Sequence, residues 1–395
     1  MGASSLPRLE SSLSHQIRGL VLGLTALLIG FPLIAWGYFL TDMVPSGHTD
    51  FRANYAAGYM LRARRPLYDY PAELETQNQI VSREQIALPF IHPAYEALVY
   101  APLSFLPYLG AYWVWFGVNV VLLALLYRLL QPELESLSPA ASWLPIATLF
   151  AYLPFGAALV QGQDSLLLVV LLARTLALLR KERLLLAGIS LGLGVFRFQL
   201  VLPVVLCFVL WRQWKLIAGF AASAIPAALL SLDLAGFSPY VKTLREIIAQ
   251  AAGLHQSIAK MPNLRGLIES AGGDKWFVLV ISALVLAGAV VAGKRLSLHR
   301  QLSLAIVTAS LVSYHCFVHD LSVLFIPCAV LFARRTEGAL AVAGFAFCAP
   351  VLLIFAPNHF YLASLGGLIL FGYLATASHF TDDKSARLSP VSHEF

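Results

Sequence analysis

The side chains able to do chemistry in this chain sit in short polar segments separated by long apolar runs. Asp50 and Arg52 stand just past the first apolar run, Tyr68 and Asp69 follow, and His92 precedes Pro93 where the chain turns apolar again. Gln163 lies in Gln161-Gly162-Gln163-Asp164, and Arg197 separates two short apolar runs. Asn263 and Arg265 belong to Met261-Pro262-Asn263-Leu264-Arg265-Gly266-Leu267, and His315, His319 and Asp320 close the set. Ionisable groups at membrane depth are costly and mark substrate or ion paths. The set offers two kinds of chemistry. A carboxylate can exchange a proton, and guanidinium pairs bidentately with carboxylate or phosphate oxygens.

Each residue also has a plainer role to set beside that one. Asp50 suits the N-cap of the amphipathic stretch after it, and Asp69 in Leu67-Tyr68-Asp69-Tyr70-Pro71 suits a turn or a cap. Gln163-Asp164 can cap a helix beginning at Ser165, and Arg265 can brace its own loop. A histidine before proline, as at His92, is more often structural. Arg197 is harder to dismiss, since between two apolar runs it needs an anionic partner or a route to water. His315 and His319, at i,i+4, are expected to share a helical face with Asp320 beside them. They resemble part of a metal site, with Asp50 or His92 as a further ligand. Without HExxH or a cysteine pattern, no metal is expected.

These residues require elements that hold them at one membrane face. The 395 residues are 59% hydrophobic and 12% charged, about half the charge of an average soluble domain. Uncharged stretches recur at 20–40, 97–127, 140–163, 216–232, 276–293, 301–319 and 339–381. A crossing needs roughly 20 apolar residues, so the expectation is an all-α polytopic membrane protein with about ten to twelve transmembrane helices. The net charge of +6 is not a nucleic-acid patch, because the basic residues lie in clusters between apolar runs. Arg180, Lys181 and Arg183 form one cluster, and Arg212 and Lys215 a second. Lys294, Arg295 and Arg300 form the third, Arg334 and Arg335 the fourth.

Placing those clusters in the cytoplasm with both termini leaves two long extracytoplasmic loops, 41–92 and 233–275. The first carries an amphipathic stretch over 51–65 and a second helix over 71–82; the other carries a helix over 239–252. The tail from 378 to 395 reads as a solvated cytoplasmic end. Short apolar pieces at 93–105, 184–196 and 198–211 are too brief for comfortable crossings. Broken backbone at that depth is tolerated only where protein or a wet cavity covers it, so these pieces should line a cavity. The four cysteines all lie in apolar stretches without CxxC spacing and read as buried hydrophobes. The chain from 1 to 395 reads as a single domain.

An ordered series of short matches resembles glycosyltransferase family 87, membrane mannosyltransferases of the C-type (GT-C) superfamily. It runs through Asp50-Phe51, Pro66-Leu67-Tyr68-Asp69, His92-Pro93, Ala101-Pro102-Leu103, Leu106-Pro107 and Ala111-Tyr112-Trp113. It continues in Gly162-Gln163, Ala187-Gly188, Gly192-Leu193, Asn263-Leu264-Arg265-Gly266 and His319-Asp320. Where members often read Lys-Pro this chain has Arg197-Phe198, and their frequent Tyr-Pro-Pro is Ile91-His92-Pro93 here. The resemblance implies a GT-C fold in the bacterial inner membrane. It implies transfer of a hexose, mannose first, from a polyprenyl-phosphate donor to a lipid or glycan acceptor on the extracytoplasmic side. The donor is a substrate; no cofactor is expected.

By position the resemblance makes Asp50 the catalytic base of an inverting transfer. Polyprenyl phosphate leaves as a stable anion, so a general acid is unnecessary and cations that steady the charge matter more. Arg52, Arg197 and Arg265 are then candidates for the phosphate, and His319 for sugar or phosphate with Asp320 fixing its tautomer. Tyr68, Asp69, His92, Gln163, Asn263 and His315 complete the expected donor and substrate contacts. The alternative is a transporter or lipid-carrier flippase, whose marks are inverted repeats and charge pairs at the bilayer midplane. Neither is seen in the sequence, and a non-catalytic scaffold leaves the polar convergence unexplained.

Overall fold

The computed structural model describes residues 37, 39–81, 88–253 and 258–376. The predicted first span at 20–40 and the tail at 378–395 therefore fall almost wholly outside the described residues. Every described regular element is helical. The first loop forms α1 (Phe51–Arg62) and α2 (Tyr70–Ile80), close to the two helices expected there. A long α3 (Tyr108–Leu134) follows, then α4 (Leu144–Ala151) and α5 (Leu153–Gln161), then α6 (Ser165–Arg180). Next come α7 (Leu184–Gly192), α8 (Phe198–Leu210), α9 (Trp214–Ala235) and α10 (Phe237–Gly253). The remainder includes α11 (Leu264–Ser270), α12 (Lys275–Gly293), α13 (Leu298–Val312) and α14 (Phe325–Phe332).

Among the described residues five helices are long and apolar enough to cross a membrane, or up to seven if each bent pair counts as one span. The apolar helices Leu298–Val312 and Val318–Phe332 are shorter. This is a multi-pass membrane protein. The bends have local causes. Between α4 and α5 the axis turns by 55°. There Tyr152 is extended and Pro154 follows, and proline lacks an N–H and crowds the preceding turn. Between α7 and the stretch Val195–Leu210 it turns by 65° through a 3-10 turn that ends at Arg197. The piece expected as one short helix over 93–105 is less regular. It is a 3-10 turn, one α turn and a second 3-10 turn, punctuated by Pro93 and Pro102.

Because α7 is short, it needs a close neighbour, and α9 supplies one. A Cβ on Gly188 would stand 1.9 Å from the Leu216 carbonyl oxygen, and one on Gly219 would stand 2.0 Å from that of Leu185. Backbones this close tolerate only glycine, the small-residue packing that drives helix association in lipid. Gly188→Val should therefore separate α7 from α9 and strip cover from the broken backbone. The expected result is loss of the monodisperse peak in detergent gel filtration. A variant eluting like wild type would disprove this packing account.

The first loop is packed down rather than hanging free. Phe51 opens α1 within an aromatic cluster, its ring 5.6 Å from Tyr112 and 5.7 Å from Tyr108, with Tyr100 4.8 Å from Trp115. Aromatic pairs at such spacings add to the apolar area they bury. This cluster fixes the residues just before Phe51. Thr49 Oγ1 shares a 2.9 Å hydrogen bond with the Tyr108 hydroxyl, and the Asp50 amide donates to Gln161 Oε1 at 3.1 Å.

Candidate active site

The site is built on the turn after α5. Gly162 adopts φ 63°, a left-handed conformation that glycine reaches without strain. It closes α5 in a Schellman turn, with the Gln163 amide donating to Ala158 O at 2.9 Å. Trp115 Nε1 donates to Gly162 O at 3.0 Å, and a Cβ on Gly162 would lie 2.6 Å from Phe51 Cβ. The turn is thus pressed against the start of α1, where Gln163 faces Asp50.

Gln163 Nε2 donates to Asp50 Oδ2 at 2.5 Å, while its Oε1 accepts from Arg197 Nη2. Arg197 Nε donates to Asp164 Oδ1 at 2.6 Å and Nη1 to Asp320 Oδ1 at 3.1 Å. Asp320 Oδ2 accepts the Phe317 amide at 2.9 Å, which opens the 3-10 turn Val318–Leu324. On the other side of Asp164, its Oδ2 lies 3.3 Å from His92 Nδ1, and that nitrogen lies 2.5 Å from Glu96 Oε2. Asp50, His92, Gln163, Arg197 and Asp320, from five separate segments, form one connected polar network. Arg197, Asp164, Asp320 and Glu96 are buried, whereas Asp50 is partly exposed.

Burial works against a charged His92, yet the carboxylates of Glu96 and Asp164 outweigh it and hold its pKa up, to about 9. Burial lifts the Glu96 carboxyl to about 8, helped by Asp164 and opposed by His92. Burial alone would raise Asp164 too, but Arg197 and His92 hold it well below the usual carboxylate range.

The capping roles weighed for Asp50, Asp69 and Asp164 are not the ones adopted, since none of the three makes a side-chain cap bond. Asn263 does cap. Its Oδ1 accepts the Gly266 amide at 2.9 Å and its Nδ2 donates to Ser313 O at 2.6 Å, tying α11 to the end of α13. Arg265 braces the same junction, 2.9 Å from Glu269 and stacked 3.9 Å from the centre of the Tyr314 ring. Tyr68, at φ 65°, donates its hydroxyl to His92 O at 2.6 Å and so supports the site from behind. Asp69 borders an open cleft of about 540 Å³ with Leu234, Pro239 and Lys242. Arg52 is buried in the first turn of α1.

Three expectations need correction. His315 and His319 do not share a helical face, because α13 stops at Val312 and Ser313 is extended, leaving His315 in a loop. His319 Nε2 stands 3.6 Å from Asp320 Oδ2, too far for Asp320 to fix its tautomer by a hydrogen bond. Arg197 spends its donors on Asp164, Asp320 and Gln163 rather than presenting a fork to phosphate. Two network members were missed as site residues. Asp164 read as a cap, and Glu96 read as part of an apolar piece, although His92 and Glu96 stand at i,i+4 in His92-Pro93-Ala94-Tyr95-Glu96.

A protein-family model for glycosyltransferase family 87 matches residues 90–327. No curated protein and no solved structure matches the chain. The matched stretch holds His92, Glu96, Gln163, Asp164, Arg197 and Asp320, while Asp50 lies before it. The match covers well over half of the chain, across the broken helices and the network they carry, and this membrane protein belongs to glycosyltransferase family 87.

Proposed function

We propose that this membrane glycosyltransferase moves a hexose, mannose first among them, from a polyprenyl-phosphate donor to a lipid or glycan acceptor at the extracytoplasmic face. The observation that carries the reading is the partly exposed Asp50 carboxylate. It is anchored by Gln163 to the buried Arg197–Asp164–Asp320 cluster and seated on the packed first loop. In the proposed step Asp50 accepts the proton of the acceptor hydroxyl as its oxygen attacks the anomeric carbon. The bond from that carbon to the phosphate oxygen breaks, and polyprenyl phosphate departs with the electron pair. One carboxylate suffices because the nucleophile attacks opposite the leaving group and inverts the centre. Arg52, two residues after Asp50 in the chain, is the cation proposed for the phosphate, since Arg197 is committed inside the network and Arg265 braces the α11 junction.

Purified protein in liposomes, given radiolabelled polyprenyl-phosphate mannose and a membrane lipid extract, should release labelled product of altered chromatographic mobility. If no polyprenyl-phosphate hexose gives up its sugar to any lipid or glycan acceptor, the reading fails. Label that merely crosses the bilayer, still attached to its carrier, would instead mark a flippase.

A further inference from the structure

The geometry points to a site for one divalent cation of the first transition row, formed by His92, Glu96 and Asp164 and separate from the Asp50 carboxylate. One ligand atom from each of the three residues lies within 4.8 Å of the other two. His92 Nδ1 and Asp164 Oδ2 are 3.3 Å apart. Atoms bound to one cation at about 2.1 Å stand roughly 3 Å from each other, so little movement would complete the set. Imidazole with two carboxylates is a donor set suited to manganese, iron or zinc rather than calcium.

A second observation concerns the oxygens themselves. Asp164 Oδ1 is taken by Arg197, while the buried Asp164 Oδ2 has His92 Nδ1 3.3 Å away but no well-aligned hydrogen bond. Glu96 Oε1 is likewise buried and accepts none. Asp164 is 1% exposed and Glu96 3%. A buried acceptor without a donor costs about 1–3 kcal/mol, more when charged, and a bound cation removes that penalty. The surroundings hold the ligands in place. Tyr68 fixes the His92 carbonyl, Phe90 stacks 5.6 Å from the imidazole at 21°, and Pro93 starts the turn that brings Glu96 back to His92. Resting on the transferase reading, the cation's open positions would take a phosphate oxygen of the donor, a role Arg197 cannot fill.

The test uses the full-length protein in nanodiscs, freed of metal by chelator and titrated with Mn2+ alone. The spectrum of free Mn2+ should show one equivalent bound per chain. Glu96→Gln should weaken binding at least tenfold, while Glu73→Gln, another buried carboxylate outside the cluster, should leave it unchanged. Wild-type protein provides a readout that needs no variant. Mn2+ held here should show nitrogen modulation in its electron spin echo from a directly bound imidazole. Absence of a bound equivalent, or a bound equivalent without nitrogen modulation, overturns the site. The two readings separate cleanly. Mn2+ bound with nitrogen modulation but without sugar transfer sinks the transferase reading alone. Undiminished transfer by protein that binds no Mn2+ sinks the cation site alone.

Discussion

Asp50→Asn is expected to slow sugar transfer by roughly 10²–10⁴-fold, the usual contribution of a positioned general base. The substitution keeps the size of the side chain. The asparagine oxygen can still accept from Gln163 Nε2, and the backbone bond from residue 50 to Gln161 is untouched. Asp50 makes no capping bond to α1, so the helix loses no cap either. The fall should therefore appear in kcat, with KM for the donor and the melting temperature in detergent nearly unchanged. Asp50→Glu retains a base but moves it by a methylene, and misplacing a reacting group by about 1 Å can lower the rate about 100-fold. Single-turnover transfer in proteoliposomes measures both. An asparagine variant within tenfold of wild type would remove Asp50 from the chemistry.

Much of the architecture could be read from the residues because bilayer physics leaves few options. Uncharged runs too short to cross, with Arg197 between two of them, already implied broken helices over a protected interior. The structure bends at that point, by 65°. The partner of Gln163 could not be read. Asp50 and Gln163 are 113 residues apart, and only the fold brings them within 2.5 Å. The misreadings share a cause, which is that local spacing was allowed to stand for tertiary position. His315 and His319 fit a helical face only if α13 continues, and it stops at Val312. Asp164 has the sequence appearance of a cap, yet its carboxylate turns to Arg197, because a buried guanidinium needs an anion more than a helix needs a cap. Asn263 met the opposite outcome. The buried cation beside it, Arg265, is paired with Glu269 instead, and Asn263 caps α11 as its spacing to Gly266 permits.

Arg197→Met is expected to damage the fold more than any single change at Asp50. Arg197 is the hub at which Asp164, Asp320 and Gln163 meet, and its side chain is 4% exposed beside Asp164 at 2% and Asp320 at 1%. Removing one partner of a buried ion cluster strands the others and is worth about 3–5 kcal/mol of destabilisation. Methionine fills similar volume, so the loss would come from the stranded carboxylates rather than from a cavity. Double substitution distinguishes these causes. If charge is responsible, Arg197→Met combined with Asp164→Asn should recover part of the stability lost by Arg197→Met alone, a coupling expected of residues in direct contact. Arg197→Lys should fold, since it keeps the charge, but a single ammonium cannot span two carboxylates and the Gln163 oxygen as a planar fork does. Gln163 would then be released from one end, and with it the orientation of Asp50, so transfer should fall while the melting temperature holds. Thermal denaturation in detergent, paired with the transfer assay, reads both quantities on each variant. Equal stability of Arg197→Met and wild type would mean that the cluster is not what closes the broken helices together.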